Sequence, residues 1–317
     1  MSIKILGTGF YVPERTVTND ELSQFVDTCD EWIVQRVGVH ERHISEDETA
    51  VDFAVRASEN ALKSADIGAD KIDLIIAATI SSDSLCPTVA GAVGQKIGAD
   101  CPAFDVNSAC SGFLFALDTA VSYIVRGEVK NVLVIGSERL SKLLDWSDRS
   151  TCVIFGDGAG ACVVSGGDGY LSSRLFTRGG SDVIEIPSYG GESPFYKGEK
   201  KSPFILMQGQ ETFKFAVNRI AEDIKYVADK AGISLDKIDH VVPHQANIRI
   251  IDFASKRLGI PKEKFFVNID KYGNTSSASV PIALAELNQS GRLKRGDTVA
   301  LTAFGGGLSS AACIIKW

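Results

Sequence analysis

The segment "DKIDLIIAAT" at 70–79 returns as "DKIDHVVPHQ" at 236–245, about 166 residues later. This interval is far longer than solenoid periods of roughly 20–50 residues. Two further landmarks repeat in the same order. "NVLVIGSE" followed by "GDGAGACVV" is echoed by "DTVALTAF" followed by "GGGLSSAACII", and the apolar helical stretch after Cys110 is echoed after "YGNTSSASVPIALAEL". The chain therefore reads as a duplicated unit. We place the two halves at 1–170 and 171–317.

Each half alternates strand and helix patterns, which implies layered α/β architecture. "TAVDFAVRASENALKSA" (49–65) carries helical apolar spacing, with Thr49 and Asp52 as a capping pair. "DLIIAATI" (73–80) and "VKNVLVIGSE" (129–138) are continuous apolar runs, expected of strands covered on both faces. "SGFLFALDTAVSYIVRG" (111–127), "ETFKFAVNRIAEDIKYVADKAG" (211–232) and "ANIRIIDFASKRLG" (246–259) are helices, with Gly127 and Gly232 as stops. "CVIFGDGAGACVVS" (152–165) reads as two strands around a glycine turn, and 298–317 as strand, glycine turn and strand. The Gly-, Ser-, Pro- and Lys-rich stretch 179–204 is too long for an ordinary connection and is expected to form a lid.

Composition sets limits on function. The 317 residues are 44% hydrophobic and 23% charged, as in ordinary globular proteins, and the formal net charge is −7. That balance argues against a nucleic-acid or membrane binder. Seven cysteines without a C-x-x-C pair suggest neither a disulfide framework nor a zinc ribbon, and point to a reducing cytoplasm. No apolar run reaches the roughly 20 residues needed to span a bilayer, and the N-terminus shows no signal-peptide pattern.

Four features carry chemical potential. Cys110, in "FDVNSACSGFLFALDTAVSYI", sits where a helix opens, so the helix dipole is expected to lower its thiol pKa. His244 follows a predicted strand, where functional groups of α/β folds collect. Asn274 lies in "YGNTSS", the turn opening the helix that duplicates the Cys110 helix. "FGGG" (304–307) offers backbone N–H groups without side chains. Taken singly, Cys110 reads as a small packed residue, His244 as structural and Asn274 as a turn former. "GDGAG" (156–160) lacks the dinucleotide-binding spacing and reads as a tight turn. His240 and His244 flank a strand and do not share a helix face.

Together, "GTGFYVPE", "DEWIVQRVGVHERH", "DVNSACSGFLFAL", "FGDGAGA", "HQANIRII", "YGNTSSASVP" and "AFGGGLSSA" resemble β-ketoacyl-acyl carrier protein synthase III, a condensing-enzyme family of the thiolase superfamily. The resemblance runs nearly end to end. It implies a thiolase-like αβαβα fold of two pseudo-symmetric mixed sheets. It also implies a decarboxylative condensation of an acyl-CoA primer with malonyl-acyl carrier protein that initiates fatty acid synthesis. Cys110 would carry the acyl group, His244 and Asn274 would hold the enolate, and the N–H groups of Cys110 and Gly306 would form the oxyanion hole. The coenzyme A thioester is a substrate, and the resemblance implies no cofactor or metal.

Further positions follow from the same resemblance. Trp32 and Arg149 would sandwich adenine, with Thr28 on the base and Arg36 and Arg249 on the phosphates. Gly209, Asn247 and Phe213 would line the pantetheine arm. Lys214, Arg249, Lys256 and Arg257 would dock the acidic carrier protein. Cys86 stands where many relatives have a bulky aromatic closing the acyl pocket, often across a homodimer interface, and its smaller side chain leaves room for a longer or branched primer. Alternatives are a Cys-His-Asn relative of specialised metabolism, a simple acyltransferase and a papain-like hydrolase. The last lacks its "CGSCW" signature here.

Overall fold

A computed structural model of the chain describes residues 2–187, 193–199 and 201–317. The first half contains β1 (Ser2–Tyr11), β2 (Thr16–Thr18), α1 (Asn19–Leu22), α2 (Asp30–Arg36), β3 (Glu41–His43), α3 (Ala50–Ala65), β4 (Leu74–Ala78), α4 (Val89–Ile97), β5 (Ala103–Val106), α5 (Gly112–Val125), β6 (Asn131–Glu138) and β7 (Gly158–Gly167). The second contains β8 (Tyr170–Thr177), β9 (Ile184–Glu185), β10 (Leu206–Met207), α6 (Gly209–Ala231), β11 (His240–Pro243), α7 (Ile248–Leu258), α8 (Ile269–Tyr272), α9 (Ser279–Gln289), β12 (Thr298–Gly305) and β13 (Ser309–Lys316).

Two mixed sheets carry the fold. One has the order β1-β7-β6-β4-β5 and the other β11-β12-β13-β8. The parallel pair β4/β6 matches β11/β12, and the antiparallel partners β7 and β1 match β13 and β8. The counterpart of β5 is reduced to a single parallel bridge between Val241 and Phe265. The repeat read from the sequence is thus a repeat of topology.

Burial follows the patterning. Every residue of β4 and β12 is buried, because helices cover both faces. Leu74, Ile76 and Ala78 face a central layer with α5 and α9, where they meet Leu284 and Leu301 of the second half. Ile75 and Ala77 face outward, beneath α3 and α4. On the other side, α6 and α7 cover the second sheet with Ile220, Ile224 and Ile251. The result is the αβαβα layering.

Local signals act as expected at most boundaries. Thr49 and Asp52 form a reciprocal capping box, and α3 buries Phe53, Ala54, Ala57, Ala61 and Leu62. Gly232 ends α6 with φ +69°. The stretch 152–165 differs from the two expected strands. Asp148 accepts from Ser150 and Thr151, winding Thr151–Phe155 into turns, and only β7 is a strand. Asp157 is buried and accepts from Ser45 N, Ser141 N and Ser141 Oγ, so "GDGAG" serves as a structural junction. Of the expected lid at 179–204, β9 pairs with β10 just beyond it in a short ribbon, while 188–192 and 200 lie outside the described residues. Among the described residues, no helix is long and apolar enough to cross a membrane.

Candidate active site

Two short 3₁₀ turns bring the sequence candidates together. Ala109–Ser111 opens α5 and Ser276–Ala278 opens α9. Their first residues are left-handed, Ala109 at φ +46° and Ser276 at φ +48°, a costly conformation for residues with a Cβ. This pair of elbows is the duplication seen at residue level. Cys110 and Ser277 are the equivalent second residues. Ser277 Oγ turns away, donating to Glu138 at 2.6 Å and Ala78 O at 2.9 Å. Cys110 turns toward a cavity of about 190 Å³, which His244, Asn274 and Gly306 also line.

Burial sets the charge states. Cys110 is half-buried and lines the cavity. Burial pushes its thiol up to about 12, with a contribution from Glu138, against a lowering contact from Ser276. The expectation that the helix opening lowers the thiol pKa is therefore corrected: desolvation outweighs the dipole. His244 is 1% exposed and sits edge-on to Phe304 at 5.2 Å. Burial lowers its pKa to about 3, so the imidazole is neutral at pH 7. The backbone N–H of His244 donates to Thr302 O at 2.8 Å, and the imidazole Nδ1 has no partner.

Asn274 is clamped by its backbone. Its N–H reaches Ile154 O at 2.9 Å, and its carbonyl accepts from Gly156 N at 3.1 Å. Its Oδ1 accepts the Ser276 N–H at 2.8 Å, which leaves the Nδ2 donors for the cavity. Opposite, the glycine turn presses on Cys110. A Cβ at Gly305 would fall 2.6 Å from Cys110 N, so only glycine allows this approach. Ser309 Oγ bonds Ser111 Oγ at 2.8 Å, Gly306 O at 2.9 Å and Ser108 O at 3.1 Å, stapling the turn to the elbow. A neutral thiol, a neutral imidazole, an amide donor and the backbone of a glycine turn thus converge in a mainly apolar chamber. Such a set suits acyl transfer with oxyanion stabilisation.

Comparison with known proteins gives the family. The family model 3-oxoacyl-acyl-carrier-protein synthase III matches residues 104–179, and its C-terminal model matches 228–317. The beta-ketoacyl-acyl-carrier-protein synthase III of Clostridium acetobutylicum is 48% identical over 322 residues, covering 100% of this chain and 99% of that one. The chain belongs to the β-ketoacyl-acyl carrier protein synthase III family. The crystal structure of the Aquifex aeolicus 3-oxoacyl-acyl-carrier-protein synthase III has a TM-score of 0.93 and 44% identity, covering 99% of this chain and 100% of that one. A priming beta-ketosynthase from the R1128 polyketide pathway also has a TM-score of 0.93, at 34% identity, covering 99% and 96%.

Of the outer positions named by this synthase III resemblance, three reach the cavity. Gly209, Phe213 and Asn247 line it. Asn247 caps α7 through Arg249 N and donates Nδ2 to Arg36 O at 2.9 Å, tying the two halves at the entrance. The Trp32 ring has Arg149 at 5.3 Å and Arg36 at 5.9 Å from its centroid. Thr28 Oγ1 is buried without a partner. Arg249 stacks on Phe213 at 5.5 Å. Lys214, Arg249, Lys256 and Arg257 are all exposed on the neighbouring helices α6 and α7, where Lys214 pairs with Glu211 and Arg257 with Asn218.

Cys86 is exposed and takes no part in the single-chain cavity. Lys142 and Arg139 hold the preceding Ser82–Asp83 segment on the outside. Within one chain, Ile80, Leu140, Phe155 and Ile205 wall the apolar end instead. Sequence reasoning missed these walls, because nothing distinguishes them from core residues. It also missed Ser276, although its place two residues after Asn274 suits an Asx turn. His240 lies elsewhere, facing Asp297 at 3.3 Å.

Proposed function

We propose that the chain condenses an acyl-CoA primer with malonyl-acyl carrier protein, giving a 3-oxoacyl-acyl carrier protein, carbon dioxide and free coenzyme A. The convergence of Cys110, His244, Asn274 and the Gly305–Gly306 turn on one cavity carries this reading.

In the first half-reaction, the Cys110 sulfur attacks the thioester carbonyl. The sulfur–carbon bond to Cys110 forms and the bond to coenzyme A breaks. The thiol proton passes through neutral His244 to the departing thiolate. The N–H groups of Cys110 and Gly306 face the tetrahedral oxyanion. In the second half-reaction, malonyl-carrier protein loses carbon dioxide, and the electron pair of the broken bond becomes an enolate. His244 and Asn274 donate hydrogen bonds to its oxygen, each such donor being worth on the order of 100–1,000-fold in rate. The enolate carbon attacks the acyl-Cys110 carbonyl, and the thiolate leaves and regains a proton. A neutral imidazole suits this role, because it donates without adding a buried charge.

Trp32, Arg149, Thr28, Arg36 and Arg249 form the coenzyme A face of this reading, with Gly209, Phe213 and Asn247 along the arm. Lys214, Arg249, Lys256 and Arg257 supply a local positive face on an acidic chain, suited to an acidic carrier protein. The apolar cavity end favours an uncharged acyl chain. A homodimer would give the exposed Cys86 loop a role at that end. The resemblance to a priming ketosynthase of polyketide synthesis supports a second reading, in which the same chemistry starts a specialised metabolite. Incubation with a panel of acyl-CoAs followed by intact-mass measurement tests the first half-reaction. We expect one acyl adduct, mapped to Cys110 and absent from Cys110→Ala, while Asn274→Ala loads but does not condense. An adduct on another cysteine, or loading lost in Asn274→Ala, would reverse the assignments.

A further inference from the structure

Ser276 is 1% exposed and lines the cavity beside Cys110 and Asn274. Its backbone N–H is committed to Asn274 Oδ1, and its hydroxyl makes no well-formed hydrogen bond, with the Cys110 sulfur as a looser neighbour. Buried hydroxyls are normally satisfied, and those beside it are. Ser277 Oγ donates to Glu138, and Ser279 Oγ accepts from Gln245 N at 2.8 Å. The Ser276 backbone is left-handed at φ +48°, a costly conformation for a residue with a Cβ.

The duplication sharpens the point. Ser276 stands where Ala109 stands in the first half, so one elbow offers a hydroxyl where the other offers a methyl. The two elbows abut: a Cβ at Gly112 would fall 3.6 Å from Ser277 Cβ. The two turns pack against each other, and across this junction Ser276 and Cys110 line the same cavity.

We propose that Ser276 is a further catalytic residue, whose hydroxyl donates a hydrogen bond to the Cys110 sulfur as it becomes a thiolate. This rests on Cys110 being the nucleophile. Ser276 keeps its own proton throughout. Its hydroxyl turns toward the sulfur when the thiol proton leaves for His244, and again when the thiolate departs from the acyl carbon.

Alkylation of the intact protein by iodoacetamide, without substrates, tests the idea across about pH 6 to about 10. Cys110 modification is followed by peptide mass mapping, because Cys29 and Cys86 are also exposed. Ser276→Ala and Ser276→Gly are compared with the parent. Both lack the hydroxyl, but glycine adopts positive φ without strain. We expect both to slow Cys110 alkylation by about tenfold throughout this range, where the thiolate is the minor form, the effect of one lost hydrogen bond to a charged acceptor. A Ser276→Gly profile superimposed on the parent's would overturn the proposal, whatever Ser276→Ala does, because a purely backbone role survives in glycine. The readout uses no acyl-CoA and no carrier protein, so it fails separately from the condensation reading.

Discussion

Burial acts on Cys110 and His244 in opposite directions, raising the thiol to about 12 and lowering the imidazole to about 3. The resting pair is therefore two neutral groups and not a thiolate–imidazolium pair. For His244 this has a consequence for stability. Below its ordinary value of 6.5, an unfolded chain takes up a proton that the folded imidazole refuses. Stability contributed by this site is thus intact above about pH 6.5 and falls as pH drops toward 3. The loss is on the order of a few kcal/mol. Chemical denaturation of the parent and His244→Gln between about pH 7 and pH 4 checks it. The parent should lose stability relative to the variant as pH falls, and parallel curves would contradict the buried neutral state.

The elements of the site are turns that rest on one another. Thr49 and Asp52 show that a cap can be read locally, whereas the Gly305–Gly306 turn is legible only against Cys110. A methyl at Gly305 meets backbone at 2.6 Å, where no side chain can swing aside. Gly305→Ala must therefore shift the turn or the elbow. We expect acyl loading of Cys110 to slow by about 100-fold, as sub-ångström misplacement of reacting groups does, while far-ultraviolet circular dichroism stays near that of the parent. Loading at the parent rate would show that the close approach is dispensable.

At the scale of the molecule, the central layer belongs to both halves. Phe113 and Leu117 of α5 share one core with Leu284 of α9 and Leu301 of β12. Ser111 bonds Ser309 across 198 residues of chain. Neither half has a complete core alone, so thermal unfolding should be a single cooperative transition reported alike by far-ultraviolet signal and tryptophan fluorescence. Two separated transitions would mean that the halves are stable independently.

Much of this was legible along the chain. The repeat at 70 and 236, the buried strands, the Thr49 cap and the Cys110, His244 and Asn274 trio are local or periodic signals, and local chemistry writes them directly into residue order. The stretch 152–155 was misread because the Asp148 side chain competes for the backbone, which apolar patterning does not register. The placement of Cys86 outside its own cavity, the walls at Ile80 and Leu140, the vacant Ser276 hydroxyl and the ionisation of the thiol were settled only by the fold. Each depends on which distant groups come within a few ångströms and on how much water they displace. Desolvation is a property of the packed molecule, and no single segment of sequence carries it.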